Sequence, residues 1–504
     1  MSIENIFGIG TSGLTANRLA LEVTSENVAN VNTPGYSRQR AIFETNPTNI
    51  LPTGSFGNGA KIAAIQRSYD QLLQQQLIGG NSTDGKNQAV LSSLQSVEPS
   101  FNELATSGLG QAMKDFFGAW QDLTVNPSGI PERQAVLTRA QILVDNFHQV
   151  SSTLNNAIQT ADRTLPGITA DITDKAKNIA MLNDQIRQTN LAGGNANELM
   201  DKRDLLVRDL ASKVGINVST DSSTPDYINI TLAGGGQNLV QGKSYATVYT
   251  TPAGSPSTPS LNDIYITAMG TPPPAANSSI DTNVTNTIGG PNNSLGEIGG
   301  TLAVRGTTTN KGIIQGYQDT LDELAHTIAT QVNASHTTGF NLNGNTGLNF
   351  FGTATSPGPP GAATGYSGTI ELSSDLYTAG TLDPTKIAAA STAAGVPGDN
   401  TNAVTIADIA KSSTIPFSSG ASSIDGFYNS FVSKVGIDVQ SASNVADQST
   451  AFLKQLNTLW QSNSGVSLDE ELTNLIKYQR SFQGSAKLIT TATDMMDTVL
   501  GLVR

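Results

Sequence analysis

Apolar side chains in the final stretch of the chain recur in alternating steps of four and three. Leu468, Leu475, Phe482, Ile489, Met496 and Val503 fall every seventh residue, with Leu472, Gln479, Ala486, Thr493 and Leu500 between them. That is the stripe of a helix made to lie along another helix. The opposite end carries a shorter version in Phe7, Leu14, Leu21 and Val28. A narrow stripe gains little until a second helix covers it, because isolated helices are marginal in water. Both ends therefore ask for helical partners, from within one bundle or from neighbouring subunits. The seam runs to the last residues and contains polar Gln479 and Thr493, which favours contact between subunits.

The first helix is predicted from about Ser2 to Ala29. It stops in NVNTPGYS, where Pro34 disfavours helix at Thr33 and Pro34-Gly35 suits a type II turn. From Arg38 to Gln66 the pattern is extended, punctuated by Pro47, Pro52, Gly54, Gly57 and Gly59, and helical spacing resumes at Tyr69. Several helices follow between Asn87 and Ser212, one with Ile168, Ile172, Ile179, Leu182 and Ile186 on a single face. Near Gly215 the composition shifts to Thr, Ser, Gly, Asn and Pro, and the alternation of Ile228, Ile230 and Leu232 predicts strands. TPAGSPSTPS and TPPPAANSS read as loops of that β region. Helix returns from Ile313 to Val332, Gly339 to Ser418 is loop-rich, and helix resumes after Ile424. Ser467 with Glu470 three residues on is a capping box that opens the last helix.

The predicted fold is multi-domain α+β: a discontinuous helical frame with N- and C-terminal coiled-coil helices and inserted mainly-β domains. Residues 1–45 with 466–504 make the terminal coiled-coil domain, and 46–214 with 305–340 and 420–465 a helical bundle. Residues 215–304 form a β-rich insertion and 341–419 a smaller loop- and β-rich one.

Charged residues make up 14% of the chain, against roughly 25% in ordinary domains. A net charge of −13 opposes nucleic-acid binding, which needs clustered Lys and Arg. Cysteine is absent, so there is no disulfide framework and no thiolate metal site. MSIENIFGIGTSG lacks the basic start and apolar core of a signal peptide, and no stretch approaches the 18 apolar residues of a membrane span. Membrane insertion is not expected.

Catalytic chemistry finds little support. GIGTSG, Gly8 to Gly13, matches the dinucleotide fingerprint but has no preceding strand and no acidic residue about twenty positions on. Small residues that let two helices approach closely explain it better. His148, His326 and His336 lack zinc-enzyme spacing. Asp469, Glu470 and Glu471 sit at a helix start, where carboxylates favour the macrodipole. Gly234 to Gly236 reads as a hairpin turn. No catalytic, cofactor or metal site is expected, and no enzymatic role.

SGLTANRLALEVTSENVANVNTPGYSRQR, from Ser12 to Arg40, resembles the N-terminal motif of the bacterial flagellar rod, hook and hook-associated protein family. Asn27, Ala29, Asn30, Asn32, Thr33 and Gly35 carry the match. GVSLDEELTNLIKYQRSFQGSAKLITTATDMMDTVLGL resembles the partner motif at the other end, with Phe482 and Gly484 departing from the usual Tyr and Ala. Tyr36-Ser37-Arg38-Gln39 is similar to the hook-associated branch, whereas rod and hook proteins usually continue with Phe-Lys. GNGAKIAAIQRSYDQLLQQQL, FFGAWQDLTVNPSGIPERQAVLTRAQIL, NELMDKRDLLVRDLA and LDELAHTIATQVNASHTTGFNLNG agree with that branch. The likeness covers the helical frame well and the β insertions poorly.

The resemblance implies a structural component of the hook–filament junction. Such a protein leaves the cell through the flagellar type III export channel without a cleavable signal peptide. It is extracellular in the finished flagellum. Its implied partners are copies of itself in an axial homo-oligomer, the hook protein, the second hook–filament junction protein and a cytoplasmic export chaperone near its C-terminus. The paired terminal helices would then form an inner tube, gaining order as neighbours bury them. Alternatives are another axial protein, hook or distal rod, and a secreted adhesin or hydrolase.

Overall fold

The computed structural model describes residues 3–51, 54–101, 108–252, 261–290, 295–352 and 364–502. Val503 lies outside them. Helix α1 (Ile3–Ala29) ends as its sequence demands: Asn30 donates to the Glu26 carbonyl and accepts from Thr33 Oγ1, and Gly35 takes a φ of +79°. Only glycine adopts that conformation cheaply. The chain turns into an antiparallel ladder, β1 (Gln39–Thr45) with β4 (Ala60–Arg67), whose tip is the small hairpin β2 (Asn49–Leu51) and β3 (Gly54–Phe56). Asp70 then caps α2 (Gln71–Val97), accepting from the Leu73 amide at 3.1 Å.

Next come α3 (Leu109–Val125), α4 (Ile130–Leu191) and α5 (Asn197–Lys213). At 62 residues α4 is about 93 Å long. Pro166 sits inside it without ending it, although an interior proline costs about 3 kcal/mol. Packing on both sides of Pro166 outweighs that cost, since Leu165 and Ile168 are buried.

Two antiparallel sheets follow. One has the order β5 (Ile216–Thr220), β6 (Ile228–Leu232), β7 (Asn238–Gln241), β8 (Ser244–Tyr245). The other places β10 (Asn262–Ile266) between β9 (Val248–Pro252) and β11 (Thr282–Asn283). Gly234 and Gly236, both at positive φ, form the turn between β6 and β7 as expected. The remaining α-helices are α6 (Thr285–Ile288), α7 (Gly296–Arg305), α8 (Ile313–His336), α9 (Thr401–Asp408), α10 (Ile424–Ser464) and α11 (Leu468–Leu502), with short hairpins at residues 377–382 and 415–422 among them.

Burial divides the body differently from the composition-based domain boundaries. One core joins α3, the first half of α4, α8 and the start of α10 through Phe116, Trp120, Leu143, Leu324 and Phe431. Phe350, Phe351, Ile370 and Ile387 lie in that same core, so the segment expected as a separate 341–419 insertion is built into the helical body. The second core joins the later half of α4 with α5, α7 and both sheets, through Ile172, Ile179, Leu210, Ile230 and Ile264. The β region therefore shares its core with helices assigned to the bundle. Composition follows the local chain, whereas burial follows α4, which is long enough to serve both cores.

The two cores meet at a buried polar cluster. Arg305 pairs with Asp162, whose other bonds come from the Asn262 backbone and side-chain amides at 2.9 and 2.6 Å. The three histidines are structural in their surroundings. His336 is fully enclosed, with Nδ1 donating to the Leu348 carbonyl at 2.7 Å and Nε2 accepting from the Ala388 amide at 3.0 Å. Burial pushes it down to about 4. His148 meets the Ile370 carbonyl and His326 the edge of Tyr366. Among the described residues no helix is long and apolar enough to cross a membrane.

Candidate assembly site at the terminal helices

α1 lies along α11, and the contact is made by small residues. The buried positions of α1 are Gly10, Ala16, Ala20, Val23, Thr24 and Asn27. A Cβ added at Gly10 would stand 2.8 Å from Ile489 Cγ1, and one at Gly13 would stand 2.8 Å from Ser485 Oγ. A Cβ at Gly10 would force Ile489 to move, whereas one at Gly13 would displace only the rotatable Ser485 hydroxyl. The glycine run near the N-terminus is thus a close-approach surface, as its sequence suggested.

On α11 the shielded positions are Glu471, Leu475, Tyr478, Phe482, Ser485, Ile489 and Ala492, again in steps of four and three. Leu475, Phe482 and Ile489 belong to the predicted seam. Its other large apolar members are uncovered: Leu468, Leu472, Met496 and Leu500 are exposed, Leu500 by 61%, although Leu468 and Met496 continue the same seven-residue column as Leu475, Phe482 and Ile489. Gln479 and Thr493 are exposed and Ala486 is half-buried. Phe7 is 44% exposed, while Leu14, Leu21 and Val28 are half-buried. The row paired with Leu475 therefore differs from the one expected. A count of apolar residues passes over Glu471 and Ser485, yet Ser485 suffices opposite Gly13 and Glu471 is buried against Asn27 and Arg38.

The base of the pair is a buried polar node. Asn27, 1% exposed, donates through Nδ2 to the Gln39 carbonyl at 2.8 Å and to Glu471 Oε2 at 3.1 Å. Its Oδ1 accepts from the Tyr36 hydroxyl at 3.0 Å and the Gln39 amide at 2.9 Å. Every donor and acceptor of that side chain is used. Burial, with Glu26 nearby, pushes the Tyr36 phenol up, so it remains a donor. Arg38 Nε pairs with Glu471 at 2.6 Å, Nη1 pairs with Glu470, and its backbone amide donates to the Ser464 carbonyl at 2.8 Å. Glu470, expected to close a capping box on Ser467, is directed to Arg38. Phe43 of β1 stacks on Tyr478 of α11 at 5.9 Å.

A second layer ties the node to the body. Asp201 of α5 accepts from the Ser37 amide at 2.8 Å and pairs with Arg67 at 2.9 Å, and Asp204 pairs with Arg67 at 2.6 Å. Burial raises the Asp201 carboxyl, against the pull of Ser37 and Arg67. Asn197 Nδ2 donates to Gln39 Oε1 at 3.0 Å and to the Ile65 carbonyl at 3.1 Å. Glu26 of α1 is held above the usual carboxylate range by its hydrogen bond to Glu198 of α5, then by burial. Gly35 passes so close to α5 that a Cβ would meet Leu205 at 3.3 Å.

Of the motif residues, Asn27, Asn30, Thr33, Gly35 and Tyr36 build this corner, while Ala29 and Asn32 are exposed. Sequence reasoning assigned no role to Arg38, Gln39, Asn197 or Asp201. A signal existed, because Asn197, Asp201, Asp204 and Arg208 fall on one helical face in steps of four, three and four. Polar residues in such a row bury only against polar partners. Among the described residues no His, Cys, Asp and Glu cluster could hold a metal ion.

The corner built from both chain ends, and the two-core body it is tied to, have counterparts in known proteins. Residues 94–351, half of the chain, match the family described as flagellar hook-associated protein FlgK helical domain. This chain belongs to the FlgK family of flagellar hook-associated proteins. Residues 7–36 match the flagella basal body rod protein family, and residues 460–502 match the flagellar basal body rod FlgEFG protein C-terminal family. Flagellar hook-associated protein 1 of Escherichia coli (strain K12) is 28% identical, covering 99% of this chain and 100% of its own length. That of Bacillus subtilis (strain 168) is 26% identical, over 99% and 93%. The flagellar hook junction protein FlgK from Burkholderia pseudomallei shares the fold, with a TM-score of 0.59 over 78% of this chain and 100% of that one, at 17% identity. The two ends thus match rod-protein families. The helical body between them places this chain in the FlgK family, and it is a structural flagellar protein.

Proposed function

We propose that this chain forms the junction between hook and filament by self-assembly through the outward faces of its terminal helices. One observation carries the reading. The inward faces of α1 and α11 are closed on each other by glycine contacts, while Leu468, Leu472, Met496 and Leu500 stay uncovered on α11. These residues cluster at the two ends of α11, and large apolar side chains left in water on a well-formed helix mark a contact surface. On α1 Phe7 is exposed, and Leu14, Leu21 and Val28 are half-buried and leave part of their surface for a neighbour.

The ends were expected to gain order only as neighbours bury them, but in the single chain α1 and α11 already pair as helices, so covering them carries a smaller ordering cost. The function is association, and no covalent bond is made or broken. Hook protein on one side and the second junction protein on the other are the flanking partners. An exposed apolar edge needs protection before assembly, which is the part of a cytoplasmic export chaperone on the C-terminal helix. Type III export then delivers the chain to the outside of the cell. The matched helical body favours the junction over a hook or distal-rod role.

Electron microscopy of a deletion strain tests this. Hooks without filaments, with filament subunit released to the medium, are expected. Normal filaments in that strain would refute the junction role.

A further inference from the structure

The helix before the terminal one carries a second uncovered apolar row. α10 packs on α2 through Ala446, Ser449, Leu453, Leu456 and Trp460, and a Cβ on Gly80 of α2 would stand 3.2 Å from Leu456 Cδ1. Beside that seam, at a strict seven-residue interval, stand Val445, Phe452 and Leu459, exposed by 43, 53 and 50%. Leu72, at the end of α2 that meets the end of α10, is also exposed, and the space over Gly79 is open. Large apolar side chains at heptad spacing on a well-formed helix mark a contact surface.

Charge and continuity identify what covers the row. With a net charge of −13, copies of this chain repel except where charge is sparse. The row is flanked by Ser441, Asn444, Gln448, Gln455 and Ser462, all uncharged. Asp447 and Lys454 lie two residues from row members, roughly 200° around the helix on the opposite face. The row also runs into the terminal edge. α10 ends at Ser464 on the polar node, and within a few residues α11 continues the apolar band through Leu468, Leu472 and Ile476.

Resting on the junction reading above, we propose that Val445, Phe452 and Leu459 form a lateral interface for a second copy of this chain, adjoining the contact made by the terminal helices. The contact is heterologous, so successive copies use it in the same direction around the assembly.

Photo-crosslinking in flagellated cells tests it. p-Benzoylphenylalanine is introduced at position 452, and in separate strains at positions 447 and 472, and assembled flagella are irradiated. Position 452 should give a chain–chain product of twice 52.5 kDa, and position 447 should give none. A product at 472 with none at 452 overturns this interface and leaves the junction reading intact. A product at 452 with a different flagellar protein overturns the choice of occupant. Loss of chain–chain product at both 452 and 472 overturns the two together.

Discussion

Replacing Arg38 with alanine removes the cation that holds the first turn of α11 to the body. Arg38 is almost enclosed, and its partner Glu471 is 2% exposed, so the pair at 2.6 Å is a buried one. Glu470 is largely solvated, and its share is about 0–1 kcal/mol. Without the guanidinium, Glu471 keeps only Asn27 Nδ2 at 3.1 Å. Stranding a buried carboxylate in this way costs about 3–5 kcal/mol. Neither core includes these residues, so the loss should be confined to the terminal pair. Amide exchange across α1 and the first half of α11 should rise roughly a hundred- to several-thousand-fold, at a factor of ten per 1.4 kcal/mol. The main thermal transition of the body should stay in place. Combining Arg38→Ala with Glu471→Gln removes the stranded charge while leaving an acceptor for Asn27, and should recover most of the protection. Exchange that changes less than threefold in Arg38→Ala, or a double variant as labile as the single one, would refute the electrostatic account of this corner.

Leu472→Asp should leave the free chain within about 0.5 kcal/mol of the parent, because the side chain is half exposed, yet abolish filament attachment in cells. Ile489→Asp should abolish attachment and also speed α1 exchange, since Ile489 packs at Gly10; equal exchange in the two variants would remove the distinction between inner and outer rows. His336 has a folded value of about 4 against the 6.5 of a freely solvated imidazole, so its contribution is present above pH 6.5 and lost as pH falls towards 4. The parent should lose about 3 kcal/mol more than His336→Leu over that interval, measured by denaturant unfolding, and parallel pH profiles would contradict it. Gly35→Ala places a Cβ at positive φ and 3.3 Å from Leu205, at a cost of about 1–2 kcal/mol. The Ser37 amide should then exchange about tenfold faster, and an unchanged rate would show that the turn relaxes freely.

The sequence by itself determined the local elements. Gly35, the Asn126 to Gly129 turn and the paired glycines at 193 and 194 punctuate the chain where helices end, because turn residues and proline act on the backbone next to them. Heptad rows at both ends were legible for the same reason, since 3.6 residues per turn is a property of the helix alone. Tertiary structure decided which row turns inward. Gly10 and Gly13 bring α1 so close to α11 that Ser485 suffices opposite them, and Arg38 and Asn27 allow Glu471 to be buried. Hydrophobicity counts cannot register a charge neutralised by a residue more than four hundred positions away. The same limit applies to the cores: composition separates the 341–419 segment, whereas Phe350 and Phe351 find their burial on α3 and α8. Periodicity reports that a surface wants cover, and only the folded backbone says what covers it.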